Sequence, residues 1–158
     1  MLDRSAAHLA LPLLLLVLWT SPAAAQRTTG AVGFGGQLGE PTGLTLKVYN
    51  ESAPSYDFLA AWDLDDFFFL NGHALFEHRI DASNIDPQLE WFVGPGAFIG
   101  VVDNPSDDEI GLGISGTAGL NLVFSQQVEL YVQVTPRIGV VPETEGEIGG
   151  GLGLRYYF

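Results

Sequence analysis

The sequence predicts an all-β chain: an eight-stranded antiparallel up-and-down transmembrane β-barrel over residues 26–158, preceded by a cleaved signal peptide over residues 1–25. Three observations predict it. Apolar residues recur at every second position in consecutive runs. The gaps between runs are short and turn-forming, which favours sequential hairpins over helical crossovers. Charged residues avoid the apolar side of the alternation. Composition narrows the field further. Of 158 residues, 47% are apolar, 16% are charged, 20 are Gly and none is Cys, and the formal charge is −13. So much apolar content excludes a disordered acidic polymer, and the acidity excludes the basic footprint of a nucleic-acid binder. The lack of cysteine excludes disulfides, thiol catalysis and cysteine-ligated metals.

The first element is an export signal. Arg4 lies in a short n-region, the apolar run Leu9 to Trp19 contains Pro12, and Ala23-Ala24-Ala25 supplies a small-residue cleavage site before Gln26. That run is too short to cross a bilayer as a helix, which needs about 20 apolar residues. The eight runs follow in order. The first, 29 to 38, contains Gly33-Phe34-Gly35-Gly36 and ends at Gly39-Glu40-Pro41. The second, 42 to 50, sets Leu44, Leu46 and Val48 against Thr45, Lys47 and Tyr49, and ends at Glu51 to Pro54. Runs three and four, 55 to 63 and 67 to 78, flank Leu64 to Asp66, and Arg79 to Pro87 leads to run five, 88 to 102. After Asp103 to Asp108, run six, 109 to 124, places Ile110, Leu112, Ile114, Leu120, Leu122 and Phe124 opposite Gly, Ser, Thr and Asn. After Ser125-Gln126, run seven, 127 to 140, has Val128, Leu130, Val132, Val134, Ile138 and Val140 on one face. Val141 to Glu145 leads to run eight, 146 to 158, with Ile148, Leu152, Leu154, Tyr156 and Phe158 opposite Glu147, Arg155 and glycines. Most runs reach the roughly 9 to 11 residues that a tilted strand needs to span a bilayer. An even number of runs returns both termini to one side. Pro95 and Pro136 fall within strands, where they require bulges or unpaired positions.

Which face looks outward decides the function class. A soluble lipocalin-like barrel would show water an outer face rich in Lys and Glu. Here the non-apolar face is mostly Gly, Ser, Thr and Asn, which suits a cramped interior. Among the acids, Asp57, Glu77, Glu90 and Glu129 fall well inside runs, on that same face as Lys47, Arg137 and Arg155. These seven are the predicted lumen ion-pair network, with Arg137 and Arg155 paired to Glu90, Glu129 or Glu77. The near-balance fits an interior in which an unpaired ion costs several kcal/mol. Tyr49, Tyr56, Trp62, Phe67, Phe68, Phe69, Trp91, Phe124, Tyr156, Tyr157 and Phe158 gather toward run ends, as interfacial girdles do.

The closing strand GLGLRYYF, with Phe158 last and apolar residues at alternate places before it, resembles the C-terminal insertion signal of bacterial outer-membrane barrels. With the signal and the eight runs, residues 26–158 are similar to the small OmpX and OmpA-transmembrane-domain type. Fragments such as GEPTGLTLK (39 to 47) and VVPETEGEIGGGLGLRYYF (140 to 158) also look like a family of short, functionally uncharacterised outer-membrane proteins. The resemblance implies an outer-membrane location and barrel-assembly machinery that recognises Leu152, Leu154, Tyr156 and Phe158. Its further partners are outer-membrane lipid and lipopolysaccharide, and the state is monomeric. Outer loops at 39–41, 64–66, 103–108 and 141–145 are short for an adhesin.

No catalytic, cofactor or metal site emerges. His8 leaves with the signal, His73 reads as a lumen residue bonded to Glu77 or Asn71, and His78 marks a strand end. No His-x-Ser pair exists, and the nearest serine in sequence is Ser83. Asp103 to Glu109 lacks the ligand pattern of a calcium loop. The outer acids Glu40, Asp63, Asp65, Asp66, Asp107, Asp108, Glu143 and Glu145 are placed to share divalent cations with anionic head groups. The expected role is structural or a surface interaction, with a lumen filled by side chains. A lipid-modifying enzyme and a soluble periplasmic ligand-binding barrel are the alternatives.

Overall fold

Eight strands in sequence order, each hydrogen-bonded to the next, close on themselves. A computed structural model of the chain describes residues 27–52, 54–62, 67–80, 87–102, 109–142 and 144–158. The strands are β1 (Val32–Glu40), β2 (Gly43–Val48), β3 (Ser55–Trp62), β4 (Phe67–Arg79), β5 (Gln88–Val102), β6 (Glu109–Phe124), β7 (Val128–Val141) and β8 (Gly146–Tyr157). All pairings are antiparallel, and β8 returns to β1 from Gly33↔Tyr157 to Glu40↔Gly150 to close the barrel. The expected all-β, eight-stranded, up-and-down architecture is therefore the one observed. The predicted signal at 1–25 lies outside the described residues, as do the predicted turns Leu64 to Asp66 and Asp103 to Asp108 and most of Arg79 to Pro87.

Two strands differ from their predicted runs by two residues or more at one end or both. Gly30 adopts φ 91°, and Ala31 donates its amide to the Thr28 carbonyl at 2.9 Å, so residues 29–31 form a turn and β1 starts at Val32. Ladder pairing in β2 stops at Val48, although Tyr49 still donates its amide to the Ala31 carbonyl at 2.9 Å. The prolines need no bulge of their own. Pro95 pairs with Gly116 on β6 but has no partner on β4, and Pro136 pairs with Ile148 on β8 but has none on β6. Each leaves unpaired the side on which its missing N–H would be needed. The one register shift in the β6–β7 ladder falls instead between Leu112 and Gly113.

The alternation resolves the choice of face. Leu152, Leu154, Val132 and Ile138 are each about half exposed on the outer wall, whereas Glu129, Lys47, Arg155 and Asp57 are almost wholly buried inside. Three aromatics assigned to the girdles must be corrected. Tyr49, Phe69 and Tyr157 are buried in the lumen, because strand parity carries Phe69 and Tyr157 inward with Asn71 and Arg155. Tyr56, Trp62, Phe68, Trp91, Phe124, Tyr156 and Phe158 do face outward.

Candidate functional site

Inside the barrel, side chains fall into two zones along the axis. The zone nearest the chain termini is ionic. Glu129 at its centre accepts from Lys47 Nζ at 2.9 Å, from Arg155 Nη1 at 2.8 Å and from the Tyr157 hydroxyl at 2.8 Å. Arg155 also pairs with Asp57 across the barrel and donates its Nε to Thr45 at 3.1 Å, while its guanidinium lies 3.9 Å from the centre of the Tyr131 ring. Glu77 accepts from Lys47, from the Ser55 hydroxyl at 2.6 Å and from Asn121 at 2.8 Å. Carboxylates holding several charge-assisted bonds each are the arrangement that makes buried ions tolerable.

Arg27 completes this zone, and strand periodicity could not find it. It precedes β1, and its amide donates to the Gln126 carbonyl at 3.1 Å in the β6–β7 turn, which tucks the side chain under the barrel. There it donates to Glu90 at 2.7 Å and Glu77 at 2.9 Å, and stacks 4.0 Å from the Tyr49 ring centre. Burial works against its charge, but Glu129, Tyr157, Glu77 and Glu90 outweigh burial and raise its pKa. Burial likewise pushes the Tyr49 phenol above its ordinary value, with Arg27 pulling the other way. The one sequence-level signal was arithmetic: four acids against three bases left the predicted lumen a cation short.

Of the seven predicted network residues, the fold brings together Lys47, Asp57, Glu77, Glu129 and Arg155, with Glu90 joined through Arg27. Arg137 is not among them. Rather than meeting Glu90, Glu129 or Glu77, it sits at the opposite end and pairs with Glu147 at 3.1 Å, its guanidinium 5.0 Å from the Phe69 ring centre. Position along the strand, which face parity ignores, accounts for the miss: Arg137 lies eight residues beyond Glu129 on β7, and a strand rises about 3.3 Å per residue.

Between the zones lies a layer of neutral polar groups. Gln37 accepts from the Tyr131 hydroxyl at 3.2 Å and from Gln133 at 3.1 Å, and Thr117 meets Thr135 at 3.2 Å. His73 is bonded to neither residue expected of it; its Nε2 lies 3.1 Å from the Ser115 hydroxyl. Ser115 donates its only proton to Asn71 Oδ1 at 2.9 Å. His73 Nε2 must then be the donor to Ser115, the reverse of a base activating a nucleophile. His78 lies at the outer surface and stacks on Trp91, centroids 4.3 Å apart. Among the described residues, no group of three or more His, Asp or Glu is arranged to hold a metal ion.

At the loop end the filling stops. A cup of about 540 Å³ opens there, floored by Phe69 and Phe98, whose ring centres are 5.6 Å apart, and walled by Arg137 and glycines. Glu40, Glu145 and Glu147 stand at its rim. A second hollow of about 620 Å³ lies on the outer wall, beside Gly36, Leu38, Leu44, Trp62 and Leu154. The predicted insertion residues Leu152, Leu154, Tyr156 and Phe158 all face outward on β8 and its end.

A closed eight-stranded barrel, apolar outside and ion-paired within, has the build of the small outer-membrane β-barrels. Structural comparison finds two similar solved structures. The N-terminal β-barrel domain of Pseudomonas aeruginosa OprF is 13% identical, with 81% of this chain and 96% of that one covered at a TM-score of 0.52. Neisserial surface protein A is 11% identical over 81% of this chain and 94% of its own, at a TM-score of 0.46. No protein-family model matches the sequence, and no curated protein matches it.

Proposed function

We propose that the chain is an integral outer-membrane β-barrel with a structural or surface-interaction role, not an enzyme, and that its lumen does not conduct. The observation that carries this reading is the inversion of polarity across the wall. Leu152, Leu154 and Val132 lie outside, while Glu129, Arg155 and Lys47 are sealed inside. A band of apolar side chains is stable against lipid and costly against water. A lumen of eight strands is just wide enough for side chains to fill it, and the cluster around Glu129 fills it at the terminus end. The absence of charge from β8's outer face fits Leu152, Leu154, Tyr156 and Phe158 as the segment read by barrel-assembly machinery.

Lipid and lipopolysaccharide are the partners this surface suits. Acids near the loop end, Glu40 and Glu145 among them, would meet anionic head groups through shared divalent cations. Two measurements test the reading. After membrane fractionation, the mature chain should remain with the outer membrane and migrate faster unboiled than boiled in detergent gels. Release into the periplasmic fraction would reject it in favour of a soluble barrel. In lipopolysaccharide vesicles, EDTA should lower the thermal stability of the folded barrel, and an unchanged melting temperature would remove the cation-sharing part.

A further inference from the structure

We infer that the loop-end cup is a binding site for a small zwitterion with a flat apolar body, its anionic group on Arg137 and its ammonium among the rim carboxylates. The cup is of ordinary ligand size: about 540 Å³, against roughly 300 to 1,000 Å³ for small-molecule pockets. Its deepest polar group is Arg137, 4% exposed, and its Nε is buried with no partner among the described residues. Glu147 occupies only Nη2, and that carboxylate is 60% exposed. The guanidinium lines the cup and shares its charge only with this solvent-reaching carboxylate, so it can take a ligand carboxylate as a further charge-assisted acceptor.

A plain anion is a poor candidate. Among the described residues that line the cup, three are carboxylates, Glu40, Glu145 and Glu147, against one base, Arg137. A mouth of one sign focuses its field into the opening and repels like charge. A plain cation satisfies Glu40, Glu145 and Glu147 but brings a like charge beside the Arg137 guanidinium, which lines the same cup. A molecule carrying both charges satisfies both ends. Phe69 and Phe98, stacked at the floor, supply the apolar surface.

The cup's glycines support the same reading. Most inward glycines here are demanded by crowding: a Cβ on Gly153 would fall 2.2 Å from the Tyr131 ring, and one on Gly119 2.2 Å from the Val132 carbonyl. Two inward glycines of the cup, Gly100 and Gly111, are under no such demand. A Cβ on Gly111 would meet nothing nearer than 3.8 Å, and one on Gly100 nothing nearer than 3.7 Å. Their effect is to keep the space empty.

The test uses three probes that share one body and differ only in charge: L-phenylalanine, phenethylamine without the carboxylate, and 3-phenylpropionate without the ammonium. Each is titrated calorimetrically into the refolded mature barrel in detergent. L-Phenylalanine should bind, with each single-charge analogue weaker by about tenfold or more. Gly111→Leu, which fills the cup, and Arg137→Gln should each weaken L-phenylalanine by about tenfold or more, while heat-dependent gel mobility stays that of the parent. The inference is overturned if L-phenylalanine gives no heat at millimolar concentration, if phenethylamine binds as tightly, or if Gly111→Leu leaves binding unchanged. Gel mobility reports barrel closure separately, so a folded barrel that ignores the probes counts against the cup and not against the membrane reading.

Discussion

The two ends of the lumen are built from the same eight strands with the same alternation, yet one is a plug and the other a cup. Near the termini, Arg27, Lys47 and Arg155 interlock with Asp57, Glu77, Glu90 and Glu129, and the rings of Tyr131 and Tyr157 fill the space over the inward glycines Gly153 and Gly33. Near the loops, a single base, Arg137, faces glycines and two phenylalanines. The difference shows that barrel geometry sets only the width of the lumen. Side-chain size and charge pairing decide whether that width is filled.

Mutations should separate the two zones, beginning with the plug. Glu129→Ala takes one carboxylate from each of Lys47, Arg155 and Arg27, and removing one partner from a buried ionic cluster costs about 3 to 5 kcal/mol. Urea unfolding of the barrel in lipid vesicles should report a loss of that size. A loss below 1 kcal/mol, on the order of a surface pair, would mean that the plug is not the barrel's keystone. Next in size is the wall. Val134→Arg puts a charge on the outward face of β7, which costs about 2 to 4 kcal/mol at mid-membrane. The same titration in vesicles should show that cost, whereas a barrel facing water would show almost none.

Smaller effects belong to the cup. Arg137→Gln should change stability by about 1 kcal/mol or less, because its partner Glu147 reaches solvent and is not left buried and alone. A loss comparable to that of Glu129→Ala would erase the distinction between the zones. The mildest comparison is between glycines. Gly111→Ala should be neutral or stabilising by about 0.5 kcal/mol, since open space accepts the methyl and the unfolded chain loses freedom. Gly153→Ala should cost more than 1 kcal/mol, on the scale of overpacking at roughly 1 to 3 kcal/mol, because Tyr131 occupies the site. Equal melting temperatures for the two variants would contradict the crowding difference.

Much of this was written in the alternation. Lys47, Asp57, Glu129 and Arg155 could be placed on one wall from parity, because a period of two assigns each residue to a face, and the small polar residues and near-balanced charge of that face put it inside. Strand ends at Val102, Glu109 and Phe124 followed from Asp-, Pro- and Ser-containing turns. Parity gives no height along the barrel, so it put Arg137 in a network at the far end. It also has no meaning outside a strand, so Arg27 escaped notice. Aromatic clustering near strand ends misled for Tyr49, Phe69 and Tyr157, since both walls of a barrel end at the same place.

The sequence by itself determined that the chain is a barrel of eight strands and which side of each strand faces the lumen, because both follow from local periodicity and turn chemistry. Only the tertiary structure decided which charges meet, that Arg27 caps the terminus end, and that the loop end is left open. Those depend on register and closure, which bring together residues as far apart as Asp57 and Arg155.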